Sequence, residues 1–176
     1  MERRPERVLA ELAQQQAFLR HPGRLVVLDT SALMEGVFFT EFDWHSLDLT
    51  LQHETVRLIV LSVVTEELDE LKRRPGVRQR ARARRVLTEL WNLHRSLPTE
   101  PAPLPQHSDV TIEVVLDDGW HQRMPNNDGE IIDQAVALCE LAGQPVILTA
   151  GDYTQLYRAA PVGLTAVLMP RPSATT

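Results

Sequence analysis

The sequence is short of the residues that mark several common protein classes. It contains one cysteine, Cys139, so no disulfide can form within the chain. No apolar stretch approaches the roughly 20 residues that a helix needs to cross a bilayer. The opening residues also lack the apolar run of a signal peptide. These absences predict a cytoplasmic protein that folds without disulfides.

Apolar residues are nevertheless plentiful enough for a complete core. The 176 residues are 43% hydrophobic and 24% charged, which is typical of one globular domain. A chain of this length buries roughly 70% of the surface that its unfolded form exposes. We expect an amphipathic helical extension over residues 1–23, the main domain over residues 24–170 and a short tail over residues 171–176.

Charge is distributed unevenly along the chain. The net charge is -6, but residues 72–85 contain 8 of the 18 basic residues and none of the 24 acidic ones, which leaves -14 for the rest. A basic segment on an acidic body favours a polyanionic partner at one face. All but one of the basic residues are arginine, whose planar fork suits phosphate. On a helix over residues 77–95, Arg78, Arg82 and Arg85 would form one ridge. This ridge could contact the polyanion or, alternatively, pack against a partner subunit.

Apolar runs alternate with helical periodicity along most of the sequence. Strands are predicted at residues 24–29, 56–64, 110–116, 145–149 and 164–169. Helices are predicted at residues 5–20, 65–74, 77–95, 128–142 and 153–160. The proline-rich residues 98–105 indicate a stiff connector. This alternation predicts an α/β fold in which a central, mostly parallel five-stranded sheet lies between two helical layers.

Carboxylates recur where the predicted strands end. In open parallel sheets, functional sites lie beyond the carboxyl ends of the strands. Asp29 follows the first strand and Glu67 lies in the helix after the second. Asp128 opens a later helix, and Asp152 follows the fourth strand by three residues. Four separate connections therefore bring an acidic side chain to one edge of the sheet.

Clustered carboxylates repel one another and need a compensating positive charge. The sequence offers no basic residue at these turns, so a hard divalent cation is the simplest compensation. Oxygen ligands suit Mg²⁺ or Mn²⁺. Such an ion activates water and neutralises charge on a phosphoryl group. The pattern therefore predicts phosphodiester hydrolysis, with the arginine ridge gripping the polyanion.

Four motifs in order resemble those of the PIN-domain nucleases over residues 24–169. VVLDTSAL resembles the first motif, which implies Asp29 as a metal ligand and Ser31 as an auxiliary group. LSVVTEELDEL is similar to the second motif and selects Glu67 over Glu66. NNDGEIIDQAVAL resembles the third and selects Asp128, with Glu130 and Asp133 as supporting groups.

VILTAGDYTQLYRA resembles the fourth motif and implies a role for Asp152, with Thr149 at the strand end as an auxiliary group. The family commonly has one residue between that threonine and the aspartate, whereas this chain has two, Ala150 and Gly151.

The resemblance implies a three-layer α/β/α domain that cleaves single-stranded RNA with one or two Mg²⁺ or Mn²⁺ ions. In such an enzyme the four carboxylates hold the metal, and a metal-activated water attacks phosphorus in line. The products carry 5′-phosphate and 3′-hydroxyl ends. A homodimer and an inhibitor or antitoxin protein are further partners that the resemblance implies. The residues predicted to contact RNA are Arg73, Arg74, Arg78, Arg82, Arg85 and, as a base-stacking residue, Trp120.

Two other functions remain open at this stage. One is a catalytically idle module of the same fold that binds RNA or protein. The other is a structure-selective DNA nuclease, although no further pair of acidic residues follows the predicted strands. Among the other tryptophans, the periodicity predicts that Trp91 faces the core.

Overall fold

The structure, a computed structural model, describes residues 12–13, 15–98, 100–117 and 121–172. A six-stranded sheet runs through these residues in the order β3-β4-β2-β1-β5-β6. In chain order its strands are β1 (Arg24–Leu28), β2 (Val56–Leu61), β3 (Ala102–Leu104), β4 (His107–Val115), β5 (Ile147–Ala150) and β6 (Thr165–Leu168). Every neighbouring pair is parallel except β3 and β4.

Helices connect the strands and flank the sheet. They are α1 (Thr30–Glu35), α2 (Ser62–Leu71), α3 (Val77–Ser96), α4 (Asn127–Ala142) and α5 (Tyr153–Ala159). Residues 15–20 are also helical, while the first part of the helix predicted over residues 5–20 lies outside the described residues. The prediction of a three-layer α/β/α fold with a mostly parallel sheet is confirmed.

The central strands are buried on both faces. All six residues of β2 are buried, and so are four of the five residues of β1. This burial matches the continuous apolar runs that define parallel strands in sequence. Because β1 lies between β2 and β5, the carboxyl ends of these three strands lie side by side.

The structure differs from the predicted elements mainly after β2 and in the proline-rich connector. β2 ends at Leu61, and the following Val63 and Val64 are buried within α2 instead of extending the strand to residue 64. Buried strands and buried helical turns are equally apolar over short runs, so periodicity alone does not separate them. The proline-rich connector contains β3, an edge strand in which Pro103 lies opposite Thr111, so the sheet has six strands and the prediction of five is wrong. An edge strand tolerates proline because the outer side of the strand has no neighbouring strand to which a backbone N–H must donate.

A buried arginine attaches the N-terminal helical segment to the sheet. Arg57, in β2, is 2% exposed and forms an ion pair with Glu113 of β4 at 2.5 Å. Its guanidinium also donates to the carbonyl oxygens of Phe18 and His21. None of the helices in the described part of the chain is long and apolar enough to cross a membrane.

Candidate active site

The four predicted carboxylates line one cleft at the carboxyl edge of the sheet. Asp29 directly follows β1, and Asp152 lies two residues after β5. Glu67 lies in the second turn of α2, and Asp128 lies in the first turn of α4. The cleft has a volume of about 390 Å³ and also exposes Arg74. The structure thus brings together side chains that are scattered over four connections of the sequence.

Asp29 is the most deeply placed of these acids. It is 5% exposed and caps α1, accepting hydrogen bonds at Oδ2 from the backbone N–H of Ser31, at 2.9 Å, and from the Ser31 hydroxyl. Burial raises the pKa of Asp29 to about 6. The hydrogen bonds from Ser31 oppose this rise, and the negative charges of Glu67 and Asp152 add to it. A bound cation would relieve the cost of ionising this carboxyl.

Ser31 also joins the ends of β1 and β5. Its hydroxyl oxygen accepts a hydrogen bond from the backbone N–H of Gly151 at 2.7 Å while the hydroxyl donates to Asp29. A Cβ atom at position 151 would lie 2.7 Å from the carbonyl oxygen of Ser31, so only glycine permits this approach. The auxiliary residue implied by the first motif therefore supports the local geometry of both strand ends.

The extra residue before Asp152 is accommodated by this close approach. Ala150 is the last residue of β5, and Gly151 makes the turn against Ser31. Asp152 then caps α5, accepting from the backbone N–H of Gln155 at 3.1 Å, and still lines the cleft. The departure from the usual spacing does not move Asp152 away from the other acids.

Glu67 is held by two polar neighbours. Its Oε2 accepts from the Thr30 hydroxyl, and its Oε1 accepts from the Asn127 side-chain amide at 2.8 Å. The neighbouring Glu66 is instead exposed and forms an ion pair with Arg123. The structure therefore places Glu67, rather than Glu66, at the cleft.

Asp128 has a basic partner that the sequence did not reveal. Its Oδ2 accepts from the guanidinium of Arg158 at 2.6 Å, and both side chains are about half exposed. The backbone carbonyl of Asp128 also accepts from the side-chain amide of Gln155. The expectation that no basic residue lies at these turns is therefore wrong for Asp128. Arg158 lies near the end of α5, six residues after Asp152, and its side chain reaches Asp128 on α4.

Three of the predicted auxiliary residues do not lie at the cleft. Glu130 is buried, and hydrogen bonds from the backbone N–H of Met124 and from His121 and Gln134 outweigh burial and lower its pKa. It anchors the loop before α4. Asp133 is exposed on α4 and does not line the cleft. Thr149 is fully buried in β5, and its hydroxyl has no hydrogen-bond partner among the residues that the structure describes.

The chemistry of the donor set fits a hard divalent cation. Carboxylate oxygens dominate the cleft. The pKa of Asp29 is raised mainly by burial, with smaller contributions from the negative charges of Glu67 and Asp152. In the described positions, however, no three His, Cys, Asp or Glu side chains form a group that could hold a metal ion. Glu67 is drawn towards Thr30 and Asn127, and Asp128 is drawn towards Arg158. Coordination by three or more of these acids would therefore require at least one of these side chains to turn towards the others.

The predicted arginine ridge is mainly structural. Arg82 donates to the carbonyl oxygens of Leu33 and Gly36, both at 2.9 Å, and so caps the C-terminal end of α1. Arg85 forms an ion pair with Glu41 at 2.6 Å and lies over the ring of Phe38. RNA contact by Arg82 and Arg85 therefore stays a prediction, and in this structure both side chains contact the body of the protein.

Other arginines of the basic segment are more accessible. Arg78 is exposed and makes no side-chain hydrogen bond among the described residues. Arg73, which follows α2, pairs with Asp69 of that helix, while Arg74 lies 3.4 Å from Glu70 and lines the cleft. Arg74 is thus a basic residue that lines the cleft, and Arg78 lies next to the cleft residue Gln79.

The tryptophans differ from the expectation in one case. Trp91 is 62% exposed, so the prediction that it faces the core is wrong. α3 buries Ala83, Val86 and Leu90, and this narrow apolar stripe leaves the next position outside. Trp120, predicted to stack on bases, lies outside the described residues.

Comparison with known families agrees with this architecture. The family model for the PIN domain matches residues 26–169 of the chain. A search of curated proteins finds no significant match. PIN domains are usually nucleases and generally bind divalent metal ions. Since the match covers more than half of the sequence and includes all four carboxylates, the chain belongs to the PIN-domain family.

Proposed function

We propose that this PIN domain is an endoribonuclease that uses Mg²⁺ or Mn²⁺ to hydrolyse single-stranded RNA. The observation that carries the proposal is the buried carboxyl of Asp29, whose pKa is raised by burial and by the charges of Glu67 and Asp152. A protein gains little from burying an acid among other acids unless a cation is to be bound there.

Each acid has a distinct part in this proposal. Asp29 is the rigid ligand, because Ser31 fixes its carboxylate and the backbone N–H of Asp29 donates to the carbonyl oxygen of Thr149 at 2.9 Å. Asp152 is held at the start of α5 on the same side of the cleft. Glu67 and Asp128 face them from α2 and α4. When bound, the metal ion would activate water and neutralise charge at the phosphoryl group.

Arg74 is the residue best placed to orient the substrate. It lines the cleft, its side chain is 65% exposed, and its contact with Glu70 is an exposed pair that contributes little to stability. A phosphate at the cleft mouth can therefore replace Glu70 as its partner. Arg78 is exposed at the second position of α3, next to the cleft residue Gln79, and adds positive charge there.

A second candidate function is an idle module that binds RNA without cutting it. The ion pair of Asp128 with Arg158 favours this alternative, since a guanidinium there supplies positive charge without a metal. Activity measured with and without metal separates the two functions.

The test is cleavage of an end-labelled single-stranded RNA in Mg²⁺, in Mn²⁺ and in EDTA. We expect the wild-type protein to cleave only with metal and to leave 5′-phosphate ends. Asp29→Asn and Asp128→Asn should each lose more than about 100-fold in rate, since even groups behind metal ligands contribute about 10- to 100-fold. Glu66→Gln is the matched control, because Glu66 is the neighbouring acid that binds Arg123 outside the cleft.

Three outcomes decide the proposal. Undiminished cleavage by both variants would contradict the assignment of the site. RNA binding without cleavage by the wild-type protein in any metal would support the idle module. Faster cleavage of a DNA strand of the same sequence would move the assignment to a DNA nuclease.

A further inference from the structure

We propose that Tyr153 and Tyr157 form a stacking platform for unpaired bases of the substrate, next to the carboxylate cleft. The inference rests on the proposed function for the class of substrate, and it assigns a binding surface to α5. The two side chains lie one helical turn apart, with ring centroids 6.4 Å apart and planes inclined by 33°.

Both rings project from the protein surface. Tyr153 is 63% exposed and Tyr157 is 76% exposed, while the opposite side of α5 is buried through Gln155 and Ala159. These are the two tyrosines of the chain. The aromatic side chains Phe38, Phe39, Phe42 and Trp44 are by contrast all buried. Packing of the core therefore does not explain why two large rings lie together on the outside of α5.

The position of α5 connects the platform to the acids. Tyr153 directly follows Asp152, which caps the helix and lines the cleft. Tyr157 follows Asp152 by five residues, or about 8 Å of helical rise. A strand with its phosphate at the acids would thus have its neighbouring nucleotides within reach of both rings.

Charge near the rings also suits a nucleic acid. Arg158 follows Tyr157 and is half exposed, and its partner is the Asp128 carboxylate at the cleft. Phosphates next to the stacked bases can be attracted by this guanidinium. Stacking on tyrosine tolerates any base, because every base presents the flat face of an aromatic ring. The platform therefore fits a single strand of mixed sequence.

The platform also provides a physical basis for choosing single strands. In a duplex the faces of the bases are covered by their neighbours and are not free to contact a protein ring. We therefore expect the two tyrosines to contribute to the binding of single-stranded RNA and to contribute little to the binding of a duplex of the same length.

The experiment measures binding in EDTA, where no cleavage occurs, by anisotropy of a fluorescent single-stranded oligoribonucleotide. The variant Tyr153→Ala/Tyr157→Ala should bind about 5-fold to 100-fold more weakly for each base that it no longer stacks. The slope of affinity against salt should not change, because neither tyrosine is charged. Tyr153→Phe/Tyr157→Phe should retain wild-type affinity, since the rings remain.

Two controls separate stacking from general effects. Trp91→Ala removes another exposed aromatic side chain, which lies on α3 twelve residues, or about 18 Å of helical rise, beyond the cleft residue Gln79, and should leave affinity unchanged. An oligomer of the same length without bases should bind the wild-type protein and the double alanine variant equally.

The results distinguish this proposal from the nuclease assignment. Ring-dependent binding without cleavage would support the platform and contradict the nuclease. Cleavage by the wild-type protein with unchanged affinity in the double alanine variant would overturn the platform alone. Absence of single-strand binding by the wild-type protein would also overturn it. A change from dimer to monomer in the double alanine variant, with RNA affinity unchanged, would show that the rings form a contact between two copies and would overturn the proposal.

Discussion

Replacing Asp29 with asparagine should stabilise the metal-free protein at neutral pH. The carboxyl is 5% exposed, and its pKa lies at about 6 in the folded state against 3.8 ordinarily. This difference corresponds to a cost of about 3 kcal/mol for the ionised side chain. Both hydrogen bonds from Ser31 go to one oxygen, Oδ2, and the amide oxygen of asparagine can accept them in its place.

The stabilisation should depend on pH in a defined direction. Between pH 3.8 and about 6 the folded protein binds the proton that the unfolded chain has released, so the wild-type protein loses stability as pH rises through this window. An asparagine side chain does not ionise in this range, so position 29 would no longer make stability depend on pH. The variant should therefore gain up to about 3 kcal/mol over wild type at pH 7 and above, and the gain should vanish below about pH 4.

Thermal and urea unfolding from pH 4 to pH 8 in EDTA would measure this effect. For a chain of this size, 3 kcal/mol corresponds to an increase of about 6–12 °C in the melting temperature. Asp133→Asn, at an exposed position on α4, should change stability by less than about 0.5 kcal/mol. A variant at position 29 that is less stable than wild type at pH 8, or a difference that does not vary with pH, would refute the reasoning.

Three further substitutions test the structure of the cleft. Gly151→Ala should lower stability by about 1–3 kcal/mol in urea unfolding, because its Cβ would lie 2.7 Å from the Ser31 carbonyl oxygen; a melting curve like that of wild type would contradict the close approach. Arg82→Ala should be destabilising by about 2 kcal/mol through the loss of two hydrogen bonds to carbonyl oxygens, whereas Arg78→Ala should change stability by less than about 0.5 kcal/mol; equal effects would show that Arg82 is not an anchor. Arg158→Ala should increase Mn²⁺ affinity in calorimetry, since it removes a cation that competes for a cleft carboxylate, and unchanged affinity would place the metal away from that acid.

The sequence predicted the position of the acids well because the rule behind the prediction is topological. Parallel strands place their carboxyl ends at one edge, so a carboxylate after each of several buried runs reaches that edge regardless of side-chain detail. Asp29 and Asp152 follow directly from this rule. The strand order was not needed, because the rule holds for any neighbouring parallel strands.

Contacts made across long separations could not be predicted in the same way. Arg158 reaches Asp128 over 30 residues, and Arg82 reaches the end of α1 over more than 40. A basic residue on a helix has the same pattern whether it faces solvent or a carbonyl oxygen. The burial of Arg57 was similarly hidden, because its partner Glu113 lies 56 residues away on β4.

Helix faces were the other source of error. The periodicity of α3 marks an apolar stripe but not its width, and the stripe ends before Trp91. The width depends on what the helix covers, which is set by the sheet and its neighbours. The two tyrosines of α5 are exposed for the same reason. This short helix buries a narrow face that consists of Gln155 and Ala159.

The link between Ser31 and Gly151 couples two distant parts of the chain. The Ser31 hydroxyl donates to Asp29 and accepts from the backbone N–H of Gly151, the residue directly before Asp152. A substitution at either position therefore disturbs two of the proposed metal ligands, Asp29 and Asp152, at the same time. Because the close contact is with the backbone of Ser31, replacing the serine side chain would not relieve the crowding caused by a Cβ atom at position 151.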